Sequence, residues 1–158
     1  MTTKITLGPT SALPITRANL LRMLAACDPD TLAGTRDRAL LAYGWATAAA
    51  RAQLVAARID TIPRDQLDHP ALVLRDNVTL ATELVTDWLL ALAIELNHPA
   101  VTGPLFRPVN RHDHLADRPH LSGEGVNVIV HRAVRRARLP HPERYSTRSL
   151  RTGGRLGI

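Results

Sequence analysis

Arg148 and Arg151 stand three residues apart near the end of the chain. They lie in the segment Tyr145-Ser146-Thr147-Arg148-Ser149-Leu150-Arg151-Thr152-Gly153-Gly154. If this segment is helical, that spacing places both on one side of a turn. A guanidinium stays charged at any working pH, and its planar fork can hold two oxygens of an oxyanion at once. Arg132, Arg135 and Arg136 recur at helical spacing just upstream. From residue 107 onward there are eleven arginines against Asp113, Asp117, Glu124 and Glu143, while residues 1–106 carry nine basic and ten acidic side chains. The whole surplus of the +6 net charge therefore sits in the last third. This asymmetry points to a face for a polyanion, with DNA phosphates as its natural partner. A solvated arginine-rich helix has the same composition, and composition alone leaves the two readings even.

Other groups offer less. Arg111-His112-Asp113-His114, with Asp117 and His120, has the residue types of a metal site but the spacing of none. It reads as a solvated or phosphate-facing loop, mobile by composition, with no metal. There is no glycine-rich phosphate loop, CxxC pair or GxSxG elbow, and no cofactor is expected. Asp28, Asp30, Asp37 and Asp60 fall where capping and helix-dipole neutralisation would use them. The lone Cys27 excludes an internal disulfide, fits a reducing cytoplasm, and reads as a small buried hydrophobe. No apolar run follows a basic start, so no signal peptide is expected. The longest apolar stretch, from Trp88 to Ile94, is far too short to span a bilayer. A cytoplasmic chain without a membrane partner follows as the expectation.

The elements that would position the arginines are helices. At 158 residues the chain has the size of one domain with a real core. Aromatics are only 3% of it, so Leu, Ala, Val and Ile must fill that core, which favours close-packed helices. Residues 1–15, with Gly8-Pro9 and Pro14, read as an extended arm. Thr16 caps a helix to about Ala26, which Asp28-Pro29-Asp30 ends. Thr35 caps a second helix running from Arg36 to about Arg58, with a low-bulk run at Ala46-Thr47-Ala48-Ala49-Ala50 where another backbone can approach. Residues 63–78 are ambiguous: Ala71-Leu72-Val73-Leu74 could be a strand and Asp76-Asn77 a turn. Helix returns from Thr79 to Leu96, with Leu80, Leu84, Trp88, Ala91 and Glu95 on one stripe. Residues 99–121 read as loop. Ser122 opens a helix to about Arg138, and Ser146 or Thr147 starts a last short one.

The order of these pieces carries a resemblance. Tyr145 to Gly154 resembles the segment of tyrosine recombinases (phage integrases) that reads His-Ser-Leu-Arg, then a small residue and Gly. Thr35-Arg36-Asp37-Arg38-Ala39-Leu40-Leu41 is similar to the opening of the family's catalytic domain. Arg51 to Ile62 is similar to its block Arg-x-Ser-Glu-Leu followed by Asp-Ile, and Gly103-Pro104-Leu105-Phe106 to the end of its middle loop. Ser122 to Arg138 matches the helix before the last motif. The likeness covers residues 16–158 and implies a partial recombinase catalytic domain: mainly α (α+β), four to six helices, with at most a small antiparallel hairpin around 70–80, C-terminally truncated.

In that family a tyrosine attacks the scissile phosphate while arginines, a lysine and a histidine hold it and move protons. The resemblance assigns Arg151 to the second catalytic arginine and Arg148 to the histidine position. Arg51 is a displaced first arginine: one residue late on a continuous helix, rotated roughly 100°, it would point elsewhere. The lysine role is empty unless Arg75 fills it, since the only lysine is Lys4. The nucleophilic tyrosine is expected several turns beyond Arg151, and Tyr145 precedes the motif. The implied protein is related to DNA integration and site-specific recombination, is unable to cleave DNA alone, and binds DNA through Arg132, Arg135, Arg136, Arg148 and Arg151. Self-association or pairing with a full-length recombinase is the further expectation, because Leu139, Leu150, Leu156 and Ile158 would border an exposed apolar patch. A non-enzymatic DNA-binding or recombination-regulating module, and a gene fragment without selected function, remain as alternatives.

Overall fold

The structure, a computed structural model, describes residues 12–158. Most of the expected arm, with Lys4, lies outside the described residues. Of that arm, residues 12–15 run extended along the last helix: Leu13 N–H donates to Arg144 O at 2.8 Å and Ile15 N–H to Ser149 O at 2.9 Å.

Seven helices follow among the described residues: α1 Arg17–Ala25, α2 Leu32–Thr47, α3 Arg51–Ala56, α4 Arg64–Leu67, α5 Leu80–Leu96, α6 Gly123–Arg136 and α7 Thr147–Leu156. None is long and apolar enough to cross a membrane. The architecture is mainly α. The hairpin expected around 70–80 is reduced to a single antiparallel bridge, Val73 with Thr79, closed by Leu74 N–H to Val78 O at 2.7 Å. Thr16, Thr79 and Ser122 cap α1, α5 and α6 through their hydroxyls, as their positions before apolar periodic runs lead one to expect.

The count reaches seven because the segment expected as one helix from Arg36 to Arg58 is two and the ambiguous stretch after Ile62 adds the short α4. Ala48 takes the left-handed conformation at φ 51°. Ala49 N–H then reaches back to Gly44 O at 3.2 Å and Ala48 N–H to Trp45 O at 3.3 Å, the paired bonds of a Schellman ending. Alanine rarely occupies that position, so no residue type flagged the break. α3 starts afresh at Arg51, its N-terminus closed by Ala50 N–H donating to Gln53 Oε1 at 2.7 Å. α2 also begins earlier than expected. Its cap is Thr31, not Thr35: Gly34 N–H donates to Thr31 Oγ1 at 2.9 Å, and the Thr35 hydroxyl turns back to Thr31 O at 2.8 Å.

α2 is the central element, packed chiefly on α5 and α7. Ala39, Leu40, Leu41 and Ala42 are fully enclosed, and Trp45 is buried with its indole N–H donating to Ile15 O at 2.8 Å. A buried indole needs such a partner, and here the partner fixes residues 12–15 to the core. α5 buries Ala81, Leu84, Val85, Trp88 and Leu92. Leu84 and Trp88 belong to the expected stripe, whereas Glu95 is exposed. α6 buries Val126, Ile129, Val130, Ala133 and Val134, the i, i+3, i+4 pattern of an amphipathic helix.

α7 approaches α2 so closely that only glycine fits at the contact. A Cβ on Gly153 would lie 1.8 Å from Ile15 O, and one on Gly154 1.9 Å from Trp45 O. Leu150 reaches Gly44 from the same side and is fully buried. The expected apolar patch is thereby corrected. Leu139 and Leu150 are core residues, while Leu156 and Ile158 are exposed.

Candidate functional site

The break at Ala48 re-aims Arg51. Starting a new helix there places its side chain against the first turn of α6, where a Cβ on Gly123 would lie 3.2 Å from Arg51 Nε. Across from it stands the first turn of α7. Ala50, Arg51, Asn127, Ser146, Thr147, Arg148 and Arg151 together line one cleft of about 290 Å³. Arg51, which a continuous helix would turn away, thus shares a cleft with Arg148 and Arg151.

Two features of this cleft bear on its chemistry. No carboxylate lines it. Some other arginines are committed: Arg36 and Arg132 to Asp37, Arg58 to Asp60, Arg22 to Ala137 O and Arg38 to Leu24 O, while Arg107 Nε, outside this cleft, is buried without a partner. The side chains of Arg51, Arg148 and Arg151 make neither an ion pair nor a hydrogen bond among the described residues, and Arg151 Nε is buried without a partner. Three like charges facing one space repel one another, and a buried donor left unmade costs about 1–3 kcal/mol. An oxyanion would relieve both. The amide end of α7 points the same way, since Ser146, Thr147 and Arg148 form its cap and first two residues.

The cap itself is held internally, with Ser146 N–H donating to Ser149 Oγ at 3.0 Å. Thr147 Oγ1 donates to Asn127 Oδ1 at 2.5 Å, tying α7 to α6 at the floor of the cleft. No histidine, lysine or tyrosine lines it. Tyr145, just before α7, is buried at 5% exposure and is not among the lining residues. The side chain of Arg75 lies outside what the structure describes.

The arginines of α6 are placed differently. Arg132 is not free for a phosphate: its Nη2 donates to Asp37 Oδ2 at 2.9 Å. Asp37, 3% exposed, also takes Arg36 Nε and Nη2 on Oδ1 at 3.0 and 2.8 Å. This aspartate is therefore the hub of a buried ion network, not a helix cap as its position in the sequence suggested. Arg135 and Arg136 are exposed in the last turn of α6, and Arg136 lines a second cleft with Asp28, Asp37, Arg111, Asp113 and Arg132. The five arginines expected on one DNA face thus divide between two places.

The segment Arg111 to His114 is a built turn. Asn110 Oδ1 accepts from His112 and His114 N–H at 2.9 and 3.2 Å, and Val109 bridges Leu115. Asp113 spends its carboxylate on the N-terminus of α2, accepting from Leu32 and Ala33 N–H at 2.9 Å each. No grouping of three or more His, Cys, Asp or Glu that could hold a metal occurs among the described residues. Cys27 is buried at 4% exposure, and burial, followed by the nearby Asp37 carboxylate, pushes its thiol from 9.0 up to about 11. A thiol held neutral in this way is a poor nucleophile.

Sequence reasoning missed Asn127 and Thr147. Neither type is distinctive, and only the meeting of α6 with α7 makes them part of the cleft. No protein-family model and no curated protein matches the chain.

Proposed function

We propose that this chain is a phage-integrase-like protein of DNA integration and site-specific recombination, whose arginine cleft holds a phosphate of the DNA backbone without cleaving it. The observation that carries the reading is the meeting of Arg51, Arg148 and Arg151, all unpaired, in one cleft without a carboxylate. Arg51 and Arg151 come from the two stretches in which the resemblance places the two arginines of a recombinase. Guanidinium forks suit the nonbridging oxygens of a phosphodiester, and such contacts read backbone geometry and little base sequence.

The second reading is a DNA-binding or recombination-regulating module that performs no chemistry, and one observation fits it as well as the first. No side chain lining the cleft can serve as a nucleophilic tyrosine or exchange a proton near neutral pH, because arginine holds its proton too tightly. The two readings share the phosphate contact and differ only in ancestry.

The test is a titration of labelled duplex DNA at several salt concentrations. Each arginine that meets a phosphate contributes about −0.9 to the slope of log affinity against log salt, so three contacts give roughly −3. Arg51→Ala, Arg148→Ala and Arg151→Ala should each weaken binding and flatten the slope by about 0.9. A slope near zero, or full binding by all three variants, would remove the reading. Arg135→Ala with Arg136→Ala reports separately on the end of α6.

A further inference from the structure

The amide of Asn127 is oriented by its neighbour. The 2.5 Å separation from Thr147 Oγ1 fits an O–H···O bond and is too short for N–H···O, so the oxygen end of the amide faces Thr147 and the nitrogen end faces away. That nitrogen donates to no group among the described residues and is not among the buried unpartnered atoms, so it is reached by solvent, on a residue that lines the cleft. The backbone behind it is firmly placed, since Val126 and Val130 beside it are fully buried. A neutral donor of fixed direction therefore shares the cleft with three charged ones.

We propose that Asn127 Nδ2 is a phosphate-binding donor of this cleft, fixing the orientation of one nonbridging oxygen, and that Thr147 is the positioning residue that keeps the amide turned toward it. This rests on the reading of the cleft as a phosphate site. The arginines supply attraction over a distance and release counterions; the amide supplies direction only. Its loss should therefore lower affinity without changing the salt dependence.

The experiment uses the whole chain and a fluorescein-labelled DNA duplex, titrated at several salt concentrations, with thermal melting of every variant. Asn127→Ala should weaken binding about tenfold, as expected for a hydrogen bond to a charged acceptor, with the salt slope of the unmodified chain retained. Thr147→Val, which frees the amide to turn, should lose less. Asn127→Asp keeps the acceptor for Thr147, so it should fold, and should bind more weakly than Asn127→Ala. Unchanged affinity in Asn127→Ala or Asn127→Asp overturns the proposal. So does an equal loss in Asn127→Ala and Thr147→Val accompanied by a flattened slope, which would mean that Asn127 only locks α6 to α7. If Arg148→Ala and Arg151→Ala lose binding while Asn127→Ala does not, this inference alone fails. If the unmodified chain does not bind, the phosphate reading fails and takes this inference with it.

Discussion

Asp37 Oδ2 accepts from Arg132 Nη2 at 2.9 Å, joining the middle helix of the core to the helix that walls the cleft. The two partners are unequally placed. Asp37 is almost fully enclosed, whereas the Arg132 side chain is 37% exposed. Removing Asp37 would leave the buried Arg36 guanidinium without its counter-ion, at a cost of about 3–5 kcal/mol. Arg132→Ala leaves Asp37 still paired with Arg36 and should cost about 1 kcal/mol or less. Urea unfolding of Asp37→Ala and Arg132→Ala measures the difference, and equal losses would contradict the unequal burial.

Ala48 holds a conformation that suits glycine. The left-handed region costs a side-chain-bearing residue about 1–2 kcal/mol, and glycine gives back part of that relief as chain entropy. Ala48→Gly should therefore stabilise the protein by about 0.5–1 kcal/mol. A loss of stability in that variant would mean that α2 and α3 are one helix, and Arg51 would then leave the cleft.

Gly153 and Gly154 meet backbone carbonyls that cannot swing aside. Gly154→Ala should cost about 3 kcal/mol or more, since an added methyl pushes α7 off α2. Arg148 and Arg151 travel with α7, so DNA affinity should fall in the same variant even under conditions where it remains folded. Calorimetry together with the duplex titration tests both. A fully stable Gly154→Ala would show that α7 is not packed as described.

No covalent DNA adduct is expected from this chain. Tyr145 is buried and outside the lining of the cleft, and no other tyrosine lines it. Loss of a nucleophile costs on the order of 10⁶ in rate in sites of concerted chemistry. Incubation with a suicide DNA substrate followed by a denaturing gel should give no shifted protein band. A band that disappears in Tyr145→Phe would overturn the placement of that residue.

Stability should fall at alkaline pH. The Cys27 thiol ionises at 9.0 in an exposed setting and at about 11 in the fold. Between these values the unfolded chain releases a proton that the folded chain retains, so rising pH favours unfolding, while below 9 this group has no effect. At about 1.4 kcal/mol per unit, the loss approaches about 2–3 kcal/mol by pH 11. Tyr43, also raised by burial, adds in the same direction at the upper end. Urea unfolding at pH 8 and pH 10.5 should show the decline, and Cys27→Ala should show less of it.

Local chemistry was enough to place much of this fold from sequence alone. A hydroxyl before an apolar periodic run is a strong signal, so Thr16, Thr79 and Ser122 marked the starts of α1, α5 and α6 to within a residue. Asn97 ends α5 in the left-handed conformation that its short side chain tolerates. Arg148 and Arg151 were legible as a pair because one helical turn separates them.

What tertiary structure alone decided involves partners distant in the chain. Asp113 caps α2 from some eighty residues away, which moved the start of that helix from Thr35 to Thr31. No glycine announces the break at Ala48, where an alanine takes the left-handed conformation. Arg51 enters the cleft only because of that break. Arg132 leaves the expected DNA face because Asp37 is buried within its reach. Spacing along one helix fixes which residues share a side; it says nothing of what another helix brings to meet them, and the cleft is made where α3, α6 and α7 meet.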